Sequence, residues 1–85
     1  MATITGTINE NFTPVGAGWT LVHGDSGAGI KTTNSSGQFT WDDVADSFKA
    51  VLAYVILDGS GTTVWAGTEQ IVAGSSPIFR CMTTP

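Results

Sequence analysis

Turn-forming residues interrupt this chain too often for long helices. They cluster in NENFTPVGAG (9–18), DSGAG (25–29), NSSG (34–37), DGSG (58–61) and SSP (75–77). Glycine supplies positive φ and proline fixes its own, so such clusters end regular structure. The segments between them mostly alternate. ATITGTI (2–8) sets Thr3, Thr5 and Thr7 against Ile4 and Ile8. GWTLVHG (18–24) sets Trp19, Leu21 and His23 against Thr20 and Val22. Period two with β-branched residues reads as half-buried strand. IKTT (30–33), QFTW (38–41), TTVWAG (62–67), TEQIVAG (68–74) and IFRCM (78–82) extend the set. Six to seven short strands at this spacing predict an all-β domain, a small β-sandwich or barrel.

Two stretches need closer reading. TTNSSGQFTW (32–41) predicts a hairpin, with Asn34 and Gly37 supplying the freedom of a four-residue loop. Phe39 and Trp41 then share one face, which reads as core. WDDVADSFKAVLAYVIL (41–57) carries two patterns. Trp41, Val44, Ala45, Phe48, Val51, Leu52, Val55 and Ile56 fit a helical stripe, and Thr40 with Asp43 resembles a capping box. AVLAYVIL is also a continuous apolar run ending at a hairpin signal. The reading taken is a short helix after Trp41, near 42–48 and at most two turns, then a strand from about 50 to 57. A strand apolar on both sides sits mid-sheet or is covered twice.

Eighty-five residues make one domain, 1–85, with a thin core. Cys81 is the only cysteine, so no internal disulfide can form, and a single histidine, His23, argues against structural zinc. No cofactor is implied. A core this small supplies about 3–5 kcal/mol on its own. Association is the remaining source of stability, so a homo-oligomer or membership of a larger assembly is expected. Only 12% of residues are charged, and Lys31, Lys49 and Arg80 face seven carboxylates. Three scattered cations cannot neutralise a phosphate backbone, so nucleic-acid and anionic-membrane partners are not expected. MATITGTINE has neither the basic nor the apolar segment of a signal peptide, which predicts a soluble chain made, at least initially, in the cytoplasm. The longest apolar run, 50–57, is far short of the ~20 residues that span a bilayer.

Catalytic signals are weak. His23, Asp25 and Ser26 lie within one turn of chain, whereas a triad converges from separate elements. Cys81 with His23 as base is countered by the apolar surroundings of IFRCM, which suit an inert buried thiol. Asp42, Asp43, Asp46 and Asp58 lack a calcium-loop pattern. Trp19, Trp41, Trp65 and Tyr54 could form a sugar-stacking platform, but all lie in apolar strands and read first as core. NFT and NSS match glycosylation sequons. GDSGAG (24–29) fits no nucleotide fingerprint. Catalytic, cofactor-binding and metal residues are therefore all expected to be none.

Ile4, Gly6, Ile8, Pro14, Val15, Gly37, Phe39, Trp41 and Val44 resemble the carboxypeptidase-regulatory or transthyretin-like β-sandwich pattern over about half the chain. Those positions do structural work and imply no catalysis. The segment after Val44 departs from that pattern. The layout as a whole is similar to small β-rich structural proteins of tailed bacteriophages, in NFTPVGAGWTLV, in the SSG turn before an aromatic strand, and in GSSPIFRCM. That resemblance implies a non-enzymatic capsid decoration or cement subunit, bound to major capsid or other virion proteins and located on the particle. Contacts are expected at the termini and the 9–16 segment. The rival expectation is a carbohydrate- or receptor-binding module of a fibre or adhesin.

Overall fold

The computed structural model describes residues 1–23 and 30–82. The GDSGAG stretch, with Asp25 and Ser26, therefore lies outside the described residues. Eight strands appear among those described: β1 (Ala2–Glu10), β2 (Thr13–Pro14), β3 (Thr20–His23), β4 (Ile30–Thr32), β5 (Gln38–Val44), β6 (Lys49–Leu57), β7 (Thr63–Val72) and β8 (Ile78–Cys81). They form two four-stranded sheets packed as a small β-sandwich. In the first, which we call sheet A, β1 pairs antiparallel with β2 and β5 and parallel with β8. Sheet B runs β4-β3-β6-β7, all antiparallel. The radius of gyration, 12.2 Å, matches the ~12 Å of a compact domain of this length.

The alternation of the sequence becomes the inside of the sandwich. Ile4, Ile8, Phe39 and Phe79 of sheet A face Leu21, Leu52, Tyr54, Ile56 and Ile71 of sheet B, with Cys81 buried among them. Phe79 lies at the centre. Its ring centroid is 5.7 Å from Phe39, 6.1 Å from Trp41 and 5.1 Å from Tyr54, the last two edge-to-face. Gly6 makes room for this cluster. A Cβ there would lie 2.5 Å from the Phe39 ring and 3.1 Å from that of Phe79.

Several expectations are corrected. The described residues form eight strands rather than six to seven; TTVWAG and TEQIVAG, read as two segments, are one continuous β7, and Thr13–Pro14 is a short β2 that the sequence did not signal. No helix follows Trp41: β5 runs on to Val44, and residues 45–48 form a tight turn closed by Phe48 N–H to the Ala45 carbonyl. Asp43 is no capping residue. It has φ +57° at a β-bulge, where the β1–β5 register slips between Ala2 and Ile4. An extra residue in one strand bends the ladder this way. The helical stripe loses because β6 pairs on both edges, to β3 and β7.

The expected hairpin across NSSG is also overturned. The turn forms, but β4 pairs only with β3 and β5 only with β1, so NSSG carries the chain from sheet B to sheet A. The Asn34 side-chain oxygen accepts from Ser36 N–H at 2.8 Å and Gln38 N–H at 3.1 Å. Gly37 has φ +76°, and a Cβ there would lie 2.5 Å from the Val15 carbonyl oxygen.

Thr33, just before this turn, is buried and ties down the 16–19 loop. Its hydroxyl donates to the Gly16 carbonyl at 2.8 Å and accepts from Trp19 N–H at 3.0 Å. Its own N–H donates to the Trp19 carbonyl at 2.8 Å, and its carbonyl accepts from Gly18 N–H. Thr33→Val keeps the shape but orphans two backbone groups, so it should destabilise by about 2 kcal/mol. A denaturant midpoint that moves little would show that water replaces the hydroxyl.

Candidate functional site: the uncovered face of sheet B

The candidate site follows from the same alternation seen from outside. Residues 49–57 point alternately in and out. Leu52, Tyr54 and Ile56 are buried, while Val51 is 68% exposed. Val51, Ala53 and Val55 therefore lie on the outer face. Register extends this face sideways: Val55 lies between Val22 of β3 and Ala66 of β7, and Val22 lies beside Ile30 of β4. Ile30 is 66% exposed. Small side chains at Ala53, Ala66 and Gly67 leave a shallow, almost wholly apolar depression of about 360 Å³, also lined by Val22, Tyr54 and Val55. β6 sits mid-sheet, as its composition implies, but its outer side has no second layer among the described residues.

A second exposed apolar element projects from the other sheet. The β1–β2 hairpin closes through Asn11 and Phe12, with φ of +50° and +72°. Two central residues at positive φ make a type I′ turn, which favours Asn-Gly. Asn11 suits it. A left-handed conformation costs a bulky residue about 1–2 kcal/mol. Phe12 adopts it and is 72% exposed, inside the 9–16 segment.

The residues weighed for chemistry are dispersed. His23 is buried, with its ring edge-on to Trp41 at 5.5 Å. Asp42 and Asp43 sit on β5, and Asp46 lies in the next turn, 3.4 Å from the N-terminal amine. Asp58 lies beyond the far end of the nine-residue β6, roughly 30 Å away at strand rise, and its carboxylate accepts from Ser60 and Thr62 N–H. Among the described residues, no three His, Cys, Asp or Glu side chains gather as a metal site would require. Of the four proposed platform aromatics, Tyr54 is buried, Trp19 and Trp41 are partly buried against the core, and Trp65 is exposed. The core reading thus fails for Trp65, whose edge position only the sheet order reveals. Phe12 and the Ile30–Val22–Val55–Ala66 row were missed as particular residues. The apolar run 50–57 signalled half of that row.

The sequence matches no family model and no curated relative.

Cys81 is 0% exposed. Burial first, then the nearby Glu10 carboxylate, pushes its thiol above the ordinary 9.0. Burial, then Glu69, then Cys81 pushes the Tyr54 phenol above 10.0. Both groups hold their protons longer folded than unfolded. Their contribution is intact below the unfolded values and is lost as pH rises through the folded ones. The urea midpoint should therefore fall as pH rises above about 9, and Tyr54→Phe should blunt the later part of the fall. Cys81 should resist an aromatic disulfide reagent until the chain unfolds; rapid labelling of native protein would contradict this burial.

Proposed function

We propose that the chain is a non-enzymatic structural subunit of a virus particle, a capsid decoration or cement protein that binds neighbouring capsid subunits. It would act through its surfaces, as a homo-oligomer, on particles assembled in the host cytoplasm. The observation that carries this reading is the uncovered outer face of sheet B. Exposed apolar patches of this kind on small proteins mark interaction sites. Burying them contributes ~25 cal/mol per Å² before the costs of association. Phe12 supports the same reading. Strain retained at an exposed aromatic is a common mark of a contact residue. The layout shared with tailed-phage structural proteins directs the proposal to a virion rather than to another assembly.

The binding-module alternative requires a flat aromatic platform. Tyr54 is buried and Trp41 is wedged between Phe39 and His23, so Trp65 would have to serve without them.

The test is co-sedimentation of the purified protein with capsids. Val51→Lys and Ile30→Lys should leave the fold intact, because both side chains already face solvent, and should reduce capsid binding at least tenfold. Unchanged binding by both, or none by the wild type, would remove this face from the proposal. Phe12→Gly should separate stability from function. It relieves the left-handed strain and should stabilise the isolated protein by about 1 kcal/mol, a rise of roughly 4–8 °C in Tm. The same variant should bind capsids more weakly. A glycan array that lights up and goes dark with Trp65→Ala would favour the rival.

A further inference from the structure

Sheet edges offer unpaired N–H and C=O groups to other chains, and proteins blunt them with short strands, bulges, charge or proline. Four of the edge strands here carry such devices. β4 has three residues, and β2 has two, including Pro14. β8 has four, including Arg80. β5 carries the bulge, Asp42, and Asp43 at positive φ. β7 carries none. It is the longest strand, ten residues of TVWAGTEQIV without proline or a basic residue, and no described strand pairs with its far side.

Its hydrogen-bonding parity can be read directly. Ala73 N–H donates to the Phe48 carbonyl, one step beyond the Lys49–Val72 pair. Antiparallel ladders alternate bonded and non-bonded pairs. Ile71, Glu69 and Gly67 therefore aim their backbone groups at β6, and Val72, Gln70, Thr68 and Ala66 aim theirs away. The Val72 carbonyl is taken by Ser75, from both its N–H and its hydroxyl. The open rail is thus Ala66, Thr68 and Gln70, which is uncharged. Glu69, the one charge on β7, pairs with buried Leu52 and points to the inner side.

We propose that β7 pairs antiparallel with β7 of a second copy across a two-fold axis at Thr68, joining two sheets B into one eight-stranded sheet. A second copy fits because the rail is self-complementary. Centring it on Thr68 matches Ala66 with the partner's Gln70 and Thr68 with the partner's Thr68. Both members of every pair then present outward groups. This register also sets Glu69 opposite the partner's Gly67, so two chains of net charge −4 meet with no like charges opposed. A shift of one residue pair, with Glu69 on the axis, would set the two carboxylates against each other. The apolar rows of both copies would become one continuous surface. The dimer specifies the homo-oligomer proposed above, but it rests on β7 alone, and its test needs no capsid.

The test is the mass in solution of the full chain, by sedimentation equilibrium from micromolar to millimolar concentration. Wild type should give about twice the 8.8 kDa chain mass. Thr68→Pro removes an N–H that faces solvent in the monomer. Thr68→Glu sets two carboxylates directly opposite each other on the axis, adds negative charge to chains that already repel, and leaves the backbone unchanged. Each should weaken self-association at least tenfold with an unchanged circular dichroism spectrum. A spin label at residue 68 should report its twin at close range, at the limit of contact. A monomer at all concentrations would overturn the proposal. So would a dimer indifferent to both substitutions, or a long distance between labels. Capsid binding by a strictly monomeric protein would sink the dimer and leave the structural role standing.

Discussion

Phe79 is the interaction on which the rest of this structure depends. It sits on a strand of only four residues, parallel to β1, and is fully buried against aromatics of both sheets. Edge-to-face aromatic pairs add about 0.5–1.5 kcal/mol each beyond the area they bury. In a domain with neither disulfide nor metal site among its described residues, a few such contacts are a large share of net stability. The cluster also explains Gly6. A side chain at that point on β1 would enter the space the Phe39 ring occupies. Trp41 then closes the cluster against His23, which keeps the lone histidine inside the fold.

Concentrating the large aromatics inside has a consequence outside. The outer face of sheet B is built mainly from valine, alanine, isoleucine and threonine, with Gln70 beside Val51 and Lys49 at its margin. Phe12 is the exception among the phenylalanines. The other ring placed by the turn-and-strand pattern of sheet A, Phe39, is buried, whereas Phe12 is held outward by an unfavourable backbone. The uncovered face, the strained tip and the long unpaired β7 edge are three separate departures from a self-contained monomer, and all three fit a protein that works through contacts.

The two Asx turns show how far local chemistry reaches. NSSGQ and DGSGT make the same bonds. The first side-chain oxygen accepts from residues two and four ahead, and its backbone pairs with residue four ahead at 2.9 Å. Each uses a glycine at positive φ in the fourth place. Yet DGSG joins the hydrogen-bonded neighbours β6 and β7, and NSSG joins strands in different sheets. The turn bends the chain; it does not choose the partner.

The sequence alone therefore determined the local geometry: where the chain turns, which segments extend, and which side chains face inward. Ile4, Ile8, Leu21, His23, Phe39 and Phe79 are all buried as their alternation requires, because a period of two holds whichever strand lies alongside. Tertiary structure alone decided who lies alongside. It made 42–44 strand rather than helix, fused 63–72 into one edge strand, separated β4 from β5, and left Trp65, Ile30 and Ala66 exposed with Val22 and Val55 half-buried between the last two. Those outcomes rest on backbone pairing between residues far apart in the chain. Helical and extended readings of a short apolar run differ little in local energy, and long-range hydrogen bonds and the closure of the aromatic core settle between them.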